Sequence, residues 1–68
     1  MAGMEARELR FYLAGGDYLD AVVTGEDVDP LREVATAMTD GGILEVTRLG
    51  QRIVVNLANV CYVQELTP

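Results

Sequence analysis

Apolar and polar residues alternate along the first part of the chain. In residues 9–13, LRFYL, leucine and phenylalanine occupy the odd positions, and arginine and tyrosine the even ones. A period of two is typical of a strand that buries one face. Gly15-Gly16 can supply the positive φ angles of a tight hairpin turn, and alternation resumes over residues 18–24. The sequence therefore predicts a β-hairpin over residues 9–24, preceded by a tail or short turn at residues 1–8.

The clearest predicted element is a helix over residues 30–40. Asp29 can accept a hydrogen bond from the free amides of a helix start, and Pro30 suits the first helical position. Gly41-Gly42 supplies a glycine for the left-handed cap at the other end. An apolar stripe with helical spacing is formed by Leu31, Val34, Ala35 and Met38. Because so short a helix is unstable alone, we expect this stripe to pack on a sheet.

The second half of the chain predicts three further strands. Residues 43–49 and 52–57 flank Gly50-Gln51, a pair that suits a two-residue turn with glycine first. A short corner then leads to the last strand, residues 60–66. The order ββαβββ predicts a two-layer α+β domain over residues 9–68, with a small, mostly antiparallel sheet and one helix packed on one face.

Two of the predicted strands are apolar on both faces, in residues 53–55 and 60–63. Such strands are typically covered on both sides, whereas one helix covers only one face of a five-stranded sheet. We therefore expect a second copy of the chain to cover the other face. The expected interface residues are Tyr12, Tyr18, Val54 and Tyr62, since tyrosine is enriched among residues that dominate binding. An alternative of equal weight is that these tyrosines are ordinary exposed strand residues without a role in binding.

Length and composition favour self-association. A domain of 68 residues buries only about 60% of its unfolded surface, and small domains are commonly reinforced by disulfides, a metal or a partner subunit. Cys61 is the single cysteine and histidine is absent, which excludes an internal disulfide and a structural zinc site of the usual kind. Half of the residues are hydrophobic. A dimer or higher homo-oligomer is the simplest expectation.

The net charge of −6 comes from eleven acids against five arginines, without lysine. This balance disfavours binding to a phosphate backbone. Arg48 and Arg52 flank the predicted turn, where they would contact an acidic partner or a phosphate, or simply keep the hairpin tip soluble. No apolar run approaches the roughly 20 residues of a membrane span, and the charged N-terminal segment does not fit a secretory signal. We expect a cytoplasmic protein without a membrane partner.

No signature of catalysis, cofactor binding or metal binding stands out. Cys61 has no histidine to activate it, and its apolar neighbours predict a buried strand position. The acids between Asp17 and Asp29 fit a solvated loop with a helix cap better than a calcium loop. A domain this small also offers little cleft to a hydrolase with paired carboxylates. We therefore expect no enzyme and no cofactor.

The segment Val46–Leu49, VTRL, followed by Ile53–Leu57 and Val60, resembles the FlbD-like small flagellar proteins, which carry a similar VTRL, a turn and a VLN strand. In that family the motif opens the chain, whereas here it lies in the second half, so the resemblance implies no flagellar role. By size, acidity and exclusive use of arginine, the chain resembles small proteins of actinobacteria and their phages.

The expected function is a non-enzymatic module that self-associates and binds another protein, with a regulatory or host-modulating role. Two alternatives stay open. One is a structural subunit of a larger assembly, such as a virion component. The other is an Sm-like nucleic-acid-binding protein that uses Arg48 and Arg52.

Overall fold

A computed structural model describes residues 4–66, which form a five-stranded sheet with a helix on one face. The strands are β1 (Met4–Leu13), β2 (Tyr18–Glu26), β3 (Ile43–Arg48), β4 (Gln51–Asn56) and β5 (Val60–Glu65); helix α1 spans Pro30–Thr39 and a 3-10 turn spans Leu57–Asn59. Neighbouring strands are antiparallel, in the order β4-β3-β2-β1-β5. The predicted α+β architecture ββαβββ is confirmed.

Strand β1 is longer than the sequence predicts. It begins at Met4, which pairs with Glu26 of β2. Residues 4–8 are therefore strand, and the prediction of a tail or short turn is wrong there; for residues 1–3 it lies outside the described residues. The cause is tertiary, because β2 supplies hydrogen-bond partners along the whole segment and pairing overrides a weak local preference.

The first hairpin closes with a four-residue turn that ends in a left-handed glycine. The Leu13 carbonyl accepts from Gly16 N at 3.1 Å, and Leu13 N donates to the Asp17 carbonyl at 2.8 Å. Gly16 has a φ of 93°, whereas Gly15 stays outside the left-handed region. Only one of the two glycines therefore has the positive φ that we expected of both.

The second hairpin turns one residue earlier than predicted. Arg48 pairs with Gln51, so the two turn residues are Leu49 and Gly50, with φ of 51° and 76°. Two positive φ angles are typical of a type I′ turn. The register that puts Val46 on the buried face decides this, because a slip of one residue would turn every side chain to the opposite face.

The hydrophobic core lies between α1 and the sheet, and nine apolar side chains are buried in it: Leu9, Phe11, Ala21, Val23, Val34, Val46, Val55, Leu57 and Val60. The helix starts as predicted, since Asp29 Oδ1 accepts from Leu31 N at 3.1 Å and Pro30 is the first helical residue. Over the described residues, no helix is long and apolar enough to cross a membrane.

The apolar stripe of α1 is only partly packed. Val34 is fully buried, Leu31 and Met38 are half-buried, and Ala35 is exposed. The expectation that the whole stripe lies on the sheet is therefore wrong for Ala35. The helix packs more extensively on β1 and β2 than on the outer strand β5, which leaves one side of the stripe open.

Candidate functional site

The face of the sheet opposite α1 is exposed, and the structure places all four predicted interface residues on it. Tyr18, Val54 and Tyr62 are 56%, 60% and 59% exposed, and Tyr12 is half-buried. The alternation of side chains along each strand and the register between strands show which other residues lie on this face. We call this surface the open face; it comprises Ala6, Glu8, Arg10, Tyr12, Tyr18, Asp20, Val22, Thr24, Glu26, Ile43, Glu45, Thr47, Arg52, Val54, Asn56, Tyr62 and Gln64.

Three tyrosines from three strands meet at one end of the open face. Tyr12 lies opposite both Tyr18 and Tyr62 in the register. Its ring stacks on Tyr62 with centroids 4.3 Å apart and lies 6.2 Å from Tyr18. The Tyr12 hydroxyl donates to Gln64 Oε1 at 3.0 Å. This tyrosine cluster (Tyr12, Tyr18 and Tyr62) is an aromatic surface of the kind that is enriched in protein interfaces.

A bidentate ion pair joins β1 to β2 beside the tyrosine cluster. Arg10 Nε and Nη2 donate to Asp20 Oδ1 and Oδ2 at 2.7 and 3.0 Å, and the Arg10 Cζ lies 4.3 Å from the centroid of the Tyr18 ring. The hydrogen bonds from Arg10 hold the pKa of Asp20 below its ordinary value, and the same bonds raise the pKa of Arg10. The two charges satisfy each other within the open face.

Sequence reasoning missed this ion pair, although a signal for it was present. Apolar alternation on both predicted strands puts Arg10 and Asp20 on the same face, opposite Phe11 and Leu19. Opposite charges at facing positions of an antiparallel pair attract. A two-residue turn at Gly15-Gly16 would instead pair Arg10 with Ala21; the observed pairing of Arg10 with Asp20 comes from the longer loop between Leu13 and Asp17.

Val54 lies apart from the tyrosine cluster, on the edge strand β4. Its neighbour across the register is Glu45, and Ile43, 69% exposed, lies diagonally from it on β3. Thr47 and Arg52 occupy the next row towards the tyrosines. The open face thus carries two apolar patches with polar positions between them, and the structure does not gather the four predicted residues at one point.

Arg48 and Arg52, the predicted partner contacts, interact with different carboxylates. Arg52 Nη1 lies 3.6 Å from Glu45 Oε1 on the neighbouring strand. After the hydrogen bonds from Arg10, the charge of Arg48 also lowers the pKa of Asp20. Arg48 pairs with Gln51 and Arg52 with Thr47, so the two arginines occupy opposite faces of this hairpin.

Cys61 is exposed on β5, which corrects the expectation that it is buried. The register between β1 and β5 shifts between Tyr12 and Leu13. As a result, Val60 is buried and Val63 is half-buried against the core, while the cysteine between them faces solvent. Within residues 4–66, no three acidic or cysteine side chains are grouped so that they could hold a metal ion.

The fold and the open face together define a small α+β protein with one solvent-exposed sheet face. Comparisons with protein-family models, curated proteins and solved structures found no match. The likeness of Val46–Val60 to FlbD-like proteins remains a resemblance in sequence alone.

Proposed function

We propose that the protein is a non-enzymatic interaction module that self-associates through the open face. The observation that carries this proposal is the exposure of the tyrosine cluster, together with Ile43 and Val54, on the face that α1 leaves uncovered. Burial of apolar surface contributes about 25 cal/mol per Å². Exposed apolar patches rimmed by polar residues are typical of binding surfaces, and the open face carries two of them.

A second copy of the chain suits this face in size. Five strands about 4.8 Å apart and roughly 20–30 Å long make a surface that approaches the ~800 Å² per partner of a stable interface. In a two-fold dimer the same patch meets itself, so apolar area on one copy meets apolar area on the other. The Arg10–Asp20 pair satisfies its own charges, and its burial would leave no unpaired ion.

The wider role that we propose is regulatory or host-modulating, in the cytoplasm. An open-face dimer leaves the helix side and the outer edges of the sheet available to a different protein. The absence of lysine, the acidity and the single cysteine support a small cytoplasmic adaptor better than a secreted or nucleic-acid-binding domain.

Light scattering coupled to size exclusion, across a range of concentrations, tests self-association. We expect wild type to reach at least twice the chain mass of 7.4 kDa. Tyr62→Glu and Val54→Glu each place a charge on the open face and should shift the mass towards the monomer, because an unpaired charge would be buried in the interface.

Leu49→Glu is the matched control, because Leu49 is 89% exposed at the hairpin tip, outside the open face. This variant should keep the wild-type mass. Circular dichroism establishes that each variant is folded. A wild-type monomer at every concentration, or an equal loss of mass in Leu49→Glu, would contradict the proposal.

A structural subunit of a larger assembly is the second candidate. The observation in its favour is that the sheet ends in two edge strands, β4 and β5, rather than closing into a barrel. Edge strands can pair with further chains and extend an assembly. In the same experiment, masses that grow beyond a dimer with concentration would favour this candidate.

A further inference from the structure

The outer edge of β5 offers backbone hydrogen-bonding groups to a partner. Within residues 4–66, β5 is the last strand of the sheet and pairs on one side only, with β1. Leu66 N donates to the Glu8 carbonyl at 3.0 Å, so the backbone N–H and C=O groups of the even-numbered residues of β5 point towards β1. In an antiparallel strand, the backbone N–H and C=O groups of the residues in between point to the opposite edge of the strand. The N–H and C=O groups of Val63 and Glu65 therefore face outwards.

An apolar groove of about 250 Å³ runs beside this edge, between β5 and α1. It is lined by Leu31, Val34, Ala35, Met38 and Val63. The groove follows the side of the helix stripe that faces β5, where Ala35 is exposed and Leu31 and Met38 are half-buried. A strand added at the outer edge of β5 would turn alternate side chains to the same side as Val63, and thus towards this groove.

An acidic region lies at the start of α1, on the same side of the sheet as the groove. A second cavity, of about 560 Å³, is lined by Glu5, Arg7, Asp27, Val28, Asp29 and Glu65. Glu65 lies two residues after Val63 on β5, and Asp29 lies two residues before Leu31, so β5 and the start of α1 contribute to both cavities. Four carboxylates and one guanidinium line the second cavity, and Arg7 lies 3.7 Å from both Glu5 and Glu65. The local charge is negative.

We propose that β5 and the groove beside α1 bind an extended, basic segment of another protein, which adds a sixth strand to the sheet. Backbone hydrogen bonds to Val63 and Glu65 would hold the segment, an apolar side chain would enter the groove, and an arginine or lysine would lie in the acidic region. Strand addition of this kind derives affinity from the backbone and specificity from alternate side chains.

Charge complementarity favours a basic partner over a second copy of this chain. If two copies paired through their β5 edges, their two acidic regions, each with Glu65, would lie at the same interface. Each copy also carries a net charge of −6. Like charges brought together at an interface are destabilising. This surface is also separate from the open face, so the proposal does not depend on self-association.

Fluorescence anisotropy with a labelled octapeptide tests the proposal. In this probe, valine alternates with threonine over the four central positions, and two arginines stand at each end. One comparison peptide carries proline at all four central positions, which removes every backbone donor there, whichever way the added strand runs, at unchanged charge. The other carries glutamate in place of arginine. We expect the probe to bind at least about tenfold more tightly than either comparison peptide.

Two protein variants locate the site. Ala35→Glu places a long charged side chain in the groove and should weaken binding of the probe by at least about tenfold. Thr36→Glu, the same charge at the next exposed helix position, should leave the affinity within about twofold. On binding, the amide protons of Val63 and Glu65 should become protected from hydrogen exchange, because the added strand accepts hydrogen bonds from them.

Three results would overturn the proposal: equal binding of the probe and its proline analogue, equal effects of Ala35→Glu and Thr36→Glu, or no protection at Val63 and Glu65. None of these results depends on the mass of the protein in solution. A failure here therefore remains distinguishable from a failure of the open-face dimer.

Discussion

Gly25 lies where the backbone of β2 meets the connection to the helix. A Cβ at this position would overlap the Val28 carbonyl oxygen and lie 3.2 Å from Pro30 N. A larger residue would push the connection, which carries the helix cap Asp29, away from the sheet. Glycine is needed here because two stretches of backbone approach each other closely.

Replacing Gly25 with alanine should lower the free energy of unfolding by about 1–3 kcal/mol, because a methyl group would be forced into backbone that cannot easily move. Urea denaturation measures the change. Gly15→Ala is the matched control, since no other atom lies within 4 Å of its Cβ position and its φ is not positive. The control should leave stability unchanged or raise it by up to about 1 kcal/mol. Equal losses in both variants would refute the close-approach explanation.

Leu49 adopts a backbone conformation that leucine ordinarily disfavours. Its φ of 51° lies in the left-handed region, which costs an ordinary residue roughly 1–2 kcal/mol. The position is nevertheless a turn residue, because the buried side chains of β3 and β4 specify the register on either side of it. Sequence reasoning placed the turn at Gly50-Gln51, since local turn chemistry favours glycine first and cannot weigh this distant packing.

At the scale of elements, the hairpin of β1 and β2 was predictable because its information is local. Alternation indicated both strands, and Gly16 indicated the turn between them. The same pairing positions Arg10 opposite Asp20, and this ion pair links the two strands on the open face. The contact depends on pH because a carboxylate is one of its members.

The effect of Asp20→Asn on stability should therefore disappear in acid. Hydrogen bonds from Arg10 lower the pKa of Asp20 in the folded state, below the value of about 3.9 for an unfolded chain. The ion pair then stabilises the fold above the unfolded-state pKa, and this contribution is lost as the pH falls through the folded-state pKa. Urea midpoints of wild type and variant should differ at pH 7 and converge below about pH 4.

A double-mutant cycle with Arg10→Gln isolates the contact. The coupling between the two positions should be measurable at pH 7 and shrink as the pH falls below about 4, because Arg10 stays charged while Asp20 becomes protonated. A coupling that is unchanged across this range would show that the interaction does not depend on the carboxylate charge.

The helix was predictable in its limits but not in its burial. Asp29 and Pro30 marked its start, and both occupy the expected positions. The stripe indicated a buried face, yet Ala35 is exposed beside the β5 groove. How far a helix lies over a particular strand depends on the order of the strands in the sheet. The pattern of apolar residues within the helix carries no information about that order.

At the scale of the whole molecule, the two proposed surfaces should respond oppositely to salt. Each chain carries a charge of −6, so self-association brings like charges together, whereas the basic segment is attracted. Raising the ionic strength from about 0.01 to about 1 M shortens the Debye length from about 30 to about 3 Å. Sedimentation equilibrium should show tighter dimers at high salt, and anisotropy should show weaker binding of the arginine probe.

The proline analogue of the probe serves as the reference for charge alone in this comparison. Its weak binding should fall with salt as well, while the ratio between the two peptides stays nearly constant, because that ratio reports backbone pairing. Salt dependence of the same sign for dimer and probe would contradict the assignment of these two surfaces.

By itself, the sequence determined the number, type and order of the elements, because alternation, helix caps and turn glycines act within a few residues. It also placed Tyr12, Tyr18, Val54 and Tyr62 on the face away from the helix. Only the tertiary structure decided the extension of β1 to Met4, the exposure of Cys61, the separation of Val54 from the tyrosines and the groove beside β5. These features depend on strand order and register, and those are decided by which distant pairings bury the most apolar surface.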